Sequence, residues 1–216
     1  MPHAGDAEVE ARQRPDGARR GHPGFFDLLH AGKRSVVLDW PREAECLRRL
    51  VAQADVVVEA SRPRALRQLG IEAREVLAER PGRTWLSITG YGRHAPFDQW
   101  VGFGDDTAVA GGLYCGTEKD MRFCADALAD PLTGAHAALA VWLSQRRGGG
   151  ELVSLSLADV AAHTFRAGRP RGEVCEGPRG WRVVVDGRAA EVAQPRRRPS
   201  GRAPAFGQHT RTVLQQ

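Results

Sequence analysis

Residues 123–157, FCADALADPLTGAHAALAVWLSQRRGGGELVSLSL, decide how this chain is built. Asp130 stands directly before Pro131 and an alanine-rich apolar run. Asp is a favoured N-cap, and Pro suits the first helical position because the N–H it lacks would be unpaired there. The spacing therefore predicts a helix capped by Asp130, with Leu132, Ala135, Leu139, Trp142 and Leu143 forming one apolar face. Gln145, Arg146 and Arg147 follow, the two arginines placing positive charge at the negative end of the helix dipole. Gly148 to Gly150 end the helix, and LVSLSL (152–157) alternates as a short strand.

Asp130 has two compatible readings. One is a helix cap and nothing more. The other is a carboxylate held at the positive end of a helix, kept ionised there by N–H donors and the dipole, and poised as a nucleophile. Local pattern does not separate them.

Upstream, FFDLLHAGKRSVVLD (25–39) contains a buried-strand candidate at Val36 to Leu38, preceded by Lys33 and Arg34. PREAECLRRLVAQ (41–53) reads as an amphipathic helix opened by Pro41, and Val56 to Val58 as the next strand. Strand, helix and strand in that order predict a right-handed crossover within a parallel sheet. A polar turn with Glu59, Arg62 and Pro63 leads into a short helix carrying Arg67, and residues 72–80 form another. TWLSITGYGRHAPF (84–97) is a strand ending in Gly90-Tyr91-Gly92, a loop whose G-x-G is weak evidence alone. Asp105 and Asp106 read either as a carboxylate pair or as caps of the Thr107–Ala110 turn.

Residues 1–22 have the composition of a flexible polar arm, with Arg12, Arg14, Arg19 and Arg20 near Pro15 and Gly17. The α/β domain is expected over residues 23–165, closing with the short helix ADVAAHTF (158–165). Residues 166–216 are rich in Arg, Gly and Pro, with a hairpin expected at Asp186-Gly187 in GWRVVVDGRAAEV and a basic linker from Pro195 to Pro204.

The 216 residues suffice for one ordinary domain with a core. An apolar content of 42% argues for a folded protein, no run is long enough for a membrane span, and no signal peptide opens the chain. The expectation is a cytoplasmic protein. Cys46, Cys115, Cys124 and Cys175 are scattered without metal-ligand spacing, so no metal site is expected and the thiols are taken as reduced. The net charge of +5, mainly from arginine, suits an anionic ligand or nucleic acid, or reflects an arginine-rich proteome and nothing more. The tail arginines lack interleaved aromatics, which argues against nucleic acid.

Taken together, the motifs resemble family III CoA-transferases, the family of formyl-CoA and carnitine CoA-transferases and the 2-methylacyl-CoA racemases. The residues that carry the resemblance are A-D-x-x-x-G at Asp130, R-x-G-x-G at 146–150, V-x-x-S-L at 153–157, and G-K-R-S-V-x-L-D at 32–39. A-D-V-x-V-E with R-P and L-G at 54–70, S-I-x-G-Y-G at 87–92 and G-x-H-T-x-x-V-L at 207–214 extend it. It covers about residues 5–165 and 203–214. The resemblance implies a Rossmann-like, mostly parallel α/β domain with the family's second domain reduced or absent, and the opening β-α unit missing. It implies Asp130 as catalytic carboxylate. Lys33, Arg34, Glu59, Arg62, Pro63, Arg67, Gly90, Tyr91 and Gly92 are implied as contacts of coenzyme A, which is a substrate, so that no cofactor is needed. Lys33 and Arg34 also have the plain reading of solvated charges before a strand. The chemistry implied is CoA transfer from an acyl-CoA to a carboxylic acid through an aspartyl anhydride and an aspartyl-CoA thioester. The alternative is a catalytically reduced CoA-binding or partner subunit. A homodimer or a complementary subunit is expected. The racemases use a histidine near the position of Phe103, and none stands between His94 and His136, which weighs against racemisation. Arg64 replaces a common glycine, and Thr89 stands where some transferases carry a basic residue.

Overall fold

A computed structural model describes residues 6–13, 15–117, 119–168, 172–178, 180–193 and 196–215. In chain order the elements are β1 (Ala7–Ala11), α1 (Pro23–His30), β2 (Arg34–Leu38), α2 (Ala44–Gln53), β3 (Val56–Glu59) and α3 (Pro63–Gln68). Then come α4 (Ala73–Glu79), β4 (Thr84–Thr89), α5 (Gly104–Ala110), β5 (Tyr114–Cys115), β6 (Arg122–Phe123) and α6 (Ala129–Arg146). The last are β7 (Glu151–Ser156), α7 (Leu157–Arg166), β8 (Gly172–Gly177), β9 (Gly180–Val185), β10 (Arg188–Glu191) and α8 (Thr210–Leu214). The chain divides into two compact units, Met1–Leu50 with Arg171–Gln216, and Val51–Pro170.

In the first unit β1 and β2 pair in parallel, from Ala7 with Arg34 to Ala11 with Leu38. Composition predicts a flexible arm for residues 1–22; residues 7–11 instead complete this ladder, and 17–20 form a 3-10 turn. The reason is non-local: Glu10 is buried and accepts from Arg19 Nε at 2.9 Å, so an apparently solvated charge is paired inside. Arg14, counted with that arm, lies outside the described residues. The other edge of β2 is covered by the C-terminal segment. His209 Nδ1 accepts from Ser35 N at 3.1 Å, Ser35 O accepts from His209 N at 2.9 Å, and Thr210 Oγ1 accepts from Val37 N at 2.9 Å. These bonds, with the β1 ladder, draw the boundaries away from 22/23 and 165/166 and join both ends of the chain in one unit. The expected hairpin is β9–β10, turned by Asp186 and Gly187 at φ 48° and 75°, values a two-residue type I′ turn requires. Strand β8 adds to it, antiparallel to β9. Pro195, which opens the expected linker, lies outside the described residues.

The second unit holds a parallel sheet in the order β3-β4-β7, with β4 central and Trp85 and Leu86 buried. The predicted crossover from β2 to β3 is not a step within one sheet. Both edges of β2 are occupied, by β1 and by His209 and Thr210, and β3 pairs with β4. The parallel connections run instead from β3 through α3 and α4 to β4, and from β4 through α5 and α6 to β7. Arg83, also buried, donates to the carbonyls of Ala52 and Val76 at 2.6 Å and of Ala54 at 3.0 Å, satisfying backbone oxygens around helix ends.

Helix α6 departs from its expected start and face. Ala127 reverses the chain at φ 47° and Leu128 already has helical dihedrals, so Asp130 sits at the second helical position and does not cap. The buried stripe is Ala129, Thr133, Ala137 and Ser144, whereas Leu139 and Trp142 are 55% and 57% exposed. Small residues let α6 lie close to its neighbours. Helix α2 likewise starts at Ala44 and not at Pro41, because Asp39 and Glu43 close a turn first: Glu43 N donates to Asp39 O at 2.8 Å and Asp39 N to Glu43 Oε2 at 2.6 Å. Among the described residues no helix is long and apolar enough to cross a membrane.

Candidate active site

At the carboxyl end of β4 the chain passes through Gly90, Tyr91 and Gly92, and the backbone must approach a second segment there. A Cβ on Gly90 would stand 2.7 Å from Gly102 Cα, and one on Gly102 would stand 2.7 Å from Thr107 Cγ2. Only glycine at both places permits this contact. Ala158 N, at the start of α7, donates to Gly90 O at 3.1 Å, so the same loop meets the turn that follows β7. The carboxyl ends of parallel strands are where open α/β sheets place ligands.

The segment entering α5 brings three carboxylates together. Asp106 accepts from Phe103 N at 2.7 Å and from the Tyr91 hydroxyl at 2.7 Å. That hydrogen bond is the largest reason why the Tyr91 phenol is pushed up to about 12. Asp105 accepts from Ala127 N at 2.7 Å, which fixes the turn before α6. Both aspartates therefore hold backbone, but neither is the N-cap of a Thr107–Ala110 turn: α5 already begins at Gly104, Asp106 reaches back from inside it to Phe103 N, and Asp105 holds the turn before α6. Asp130 is the third. A Cβ on Gly104 would lie 2.6 Å from Asp130 Oδ2 and 2.7 Å from Ala127 O, so the carboxylate occupies the space a side chain would fill.

Asp130 makes no hydrogen bond or ion pair through its carboxylate among the described residues, and its residue surface is exposed to solvent. Partial desolvation, and then the negative charges of Asp105 and Asp106, raise its pKa above the ordinary carboxylate value. This corrects the expectation that N–H donors and the dipole hold it ionised; the two neighbouring carboxylates act in the opposite sense. Its position is fixed by Ala129, fully buried in a cluster with Ala108, Leu157 and Ala161. Asp126 is exposed.

The remaining residues implied by motif divide into several environments. Glu59 is only 3% exposed and turns inward, accepting from Trp85 Nε1 at 3.0 Å and pairing with Arg93. It is a support for Arg93 and not a surface for a ligand. Arg93 also donates to Ser87 Oγ at 2.7 Å. Pro63 is buried at the start of α3, with Arg62 exposed before it. Arg67 lies 3.7 Å from Glu72 and lines a cleft of about 430 Å³ with Arg74, Arg93 and His94. Arg93 and Arg74 carry no recognisable motif; the first is legible only as the basic residue after G-Y-G. Lys33 and Arg34 belong to the first unit, where Lys33 Nζ is 3.4 Å from His30 Nδ1 and Arg34 opens β2. Phe103, where a racemase histidine would be sought, is exposed and precedes α5.

Residues 4–169 match CoA-transferase family III, and the chain belongs to that family. It is 27% identical over 147 residues to succinyl-CoA–D-citramalate CoA-transferase of Chloroflexus aurantiacus, covering 64% of this chain and 37% of that protein. It is 31% identical over 158 residues to the BbsE subunit of succinyl-CoA:(R)-benzylsuccinate CoA-transferase of Thauera aromatica, covering 66% and 38%. The chain thus spans less than two-fifths of the length of these relatives. Among solved structures, Rv3272 of Mycobacterium tuberculosis aligns with a TM-score of 0.68 at 24% identity, over 83% of this chain and 55% of the other. A CAIB/BAIF family protein of Brucella suis aligns at 0.66 and 23%, over 84% and 58%. These likenesses show the α/β fold.

Proposed function

We propose that this chain transfers coenzyme A from an acyl-CoA thioester to a carboxylic acid, with Asp130 as the nucleophile. The observation that carries this reading is the contrast among the three clustered carboxylates. Asp105 and Asp106 are committed to backbone and phenol donors, while Asp130 is uncommitted and solvent-accessible at a helix start. Relatives whose names state CoA transfer between acids support the reaction class.

Asp130 attacks the thioester carbonyl carbon, the C–S bond breaks, and an aspartyl mixed anhydride forms with release of CoA thiolate. The thiolate attacks the aspartyl carbonyl, freeing the first acid and leaving an aspartyl-CoA thioester. The acceptor carboxylate attacks that thioester to give a second anhydride, and CoA thiolate then takes the acceptor acyl group and regenerates the carboxylate. No net proton moves, and each exchange links species of similar activation. Partial desolvation, with repulsion from Asp105 and Asp106, makes Asp130 more basic than an ordinary carboxylate. Both penalties are relieved when acylation removes the charge, which favours the covalent state over the resting one. N–H groups of the glycine-rich loop at 90–92 are suited to the tetrahedral oxyanions. The arginines of the cleft at Arg67, Arg74 and Arg93 suit the anionic end of CoA.

The alternative is a CoA-binding partner of a second subunit, a reading favoured by the similarity to a protein named as a subunit. One assay separates the two. The wild-type chain, Asp130→Asn and Asp126→Asn are compared for CoA transfer and for stabilisation by CoA. Binding to the native state alone contributes about 2.7 kcal/mol at 100 times Kd. The proposal expects all three to bind CoA, transfer by wild type and Asp126→Asn, and loss of several orders of magnitude in Asp130→Asn. Binding without transfer by wild type would support the partner role.

A further inference from the structure

The β5–β6 hairpin carries two of the four cysteines, and the fold brings them together. Tyr114 pairs with Phe123 and Cys115 with Arg122 in antiparallel register. Cys124 directly follows Phe123, the last residue of β6. The two Sγ atoms are 3.6 Å apart and both residues are exposed, whereas Cys46 and Cys175 are half-buried. All four are thiols in this structure.

We infer that Cys115 and Cys124 are a reversible dithiol–disulfide pair, oxidised by small-molecule disulfides. The inference does not depend on the role of Asp130. The hairpin holds the sulfurs 3.6 Å apart, against the roughly 2.05 Å of a bond, and a local adjustment of this exposed two-pair hairpin closes the difference. Exposure admits the oxidant. One thiolate attacks a sulfur of the disulfide RSSR, forming a protein–SR mixed disulfide and releasing one RS⁻. The second thiolate attacks the protein sulfur of that mixed disulfide, forms the Cys115–Cys124 bond and releases the second RS⁻. The protein loses two electrons and two protons, and RSSR becomes two RSH. Because the partner thiol is already in place, the second step is intramolecular and outcompetes reduction of the mixed disulfide by free thiol. The oxidised bond would close residues 115–124 into a ring at the base of the hairpin. From that end the chain runs to Ala127, whose N–H is held by Asp105.

The test equilibrates the full chain in mixtures of oxidised and reduced glutathione, traps remaining thiols by rapid alkylation, and reads intact mass and non-reducing peptide maps. The expected result is loss of two hydrogens, a cross-linked peptide pair containing Cys115 and Cys124, alkylated Cys46 and Cys175, and full reversal by excess reduced glutathione. The native chain should form the bond at a glutathione ratio at least tenfold more reducing than the same chain in denaturant. Cys115→Ser and Cys124→Ser should each exchange the two-hydrogen loss for one glutathione adduct on the remaining thiol. The proposal is overturned if both thiols alkylate in wild type at oxidising ratios or if wild type stops at the glutathione adduct. It is also overturned if the link involves Cys46, Cys175 or a second chain, or if denaturant leaves the equilibrium unchanged. The wild-type map alone decides these points should a serine variant fail to fold.

Discussion

Gly104 and the carboxylate of Asp130 are so close that a methyl group on the first would stand 2.6 Å from Oδ2 of the second and 2.7 Å from the carbonyl of Ala127. The carboxylate can swing, but the backbone carbonyl cannot yield without moving the turn into α6. Gly104→Ala is therefore expected to cost about 1–3 kcal/mol of stability, as overpacking does. Under the proposed mechanism it should also lower kcat for transfer more than it weakens CoA binding. Denaturant unfolding and steady-state kinetics check both parts, and an unchanged kcat in folded protein would detach Gly104 from the chemistry.

Tyr91 ties the loop after β4 to α5 through its hydroxyl on Asp106. Its phenol pKa is raised to about 12, so the bond contributes stability fully below the ordinary pKa of 10.0 and loses it as pH rises through the folded value. Ultraviolet titration should show one phenolate forming late, and Tyr91→Phe should remove that step and cost about 1 kcal/mol near neutrality. A stability gap between variant and wild type that persists above pH 12 would contradict the assignment.

Asp130 behaves oppositely to a carboxylate stabilised by its fold. Its raised pKa means that its contribution to stability is present below the ordinary value of 3.8 and lost as pH rises through the folded pKa. The stability of Asp130→Asn relative to wild type should therefore increase from acid toward neutrality, followed by urea unfolding across that range. A relative stability that falls instead would mean the carboxylate is held as an anion by the helix start.

Much of this architecture is legible in the sequence, for physical reasons that also mark where legibility stops. β3, β4 and β7 announce themselves by short β-branched or alternating runs bounded by turn residues, and the Asp186-Gly187 hairpin by turn chemistry that few other residues satisfy. The face of α6 does not, because the periodicity of Leu139, Trp142 and Leu143 outweighs a stripe of Ala, Thr and Ser that buries little surface per residue. Charged residues mislead in the same way. Glu10 reads as solvated until Arg19 is placed beside it, and Glu59 reads as a ligand contact until Arg93 meets it inside. The Asp130 motif is readable, but its environment depends on Asp105 and Asp106, carried by a different helix.

The Glu59–Arg93 pair yields a prediction of its own. Arg93→Met leaves a buried carboxylate with Trp85 Nε1 as its remaining donor among the described residues, while Glu59 Oε1 already lacks one. The expected cost is about 3–5 kcal/mol, and the double variant Arg93→Met with Glu59→Leu should recover much of it. Denaturant unfolding of the two variants provides the comparison. Equal stability of wild type and Arg93→Met would place the pair outside the folded core.

The central claim is that Asp130 becomes covalently modified. The most direct measurement is mass spectrometry of the chain after rapid mixing with a set of acyl-CoAs, without acceptor acid, followed by peptide mapping. The account predicts the mass of an acyl group or of coenzyme A on the peptide containing Asp130, localised to that residue, and its absence in Asp130→Asn. An adduct on Asp126, Asp105 or Asp106, or an unmodified Asp130 while transfer proceeds, would contradict it.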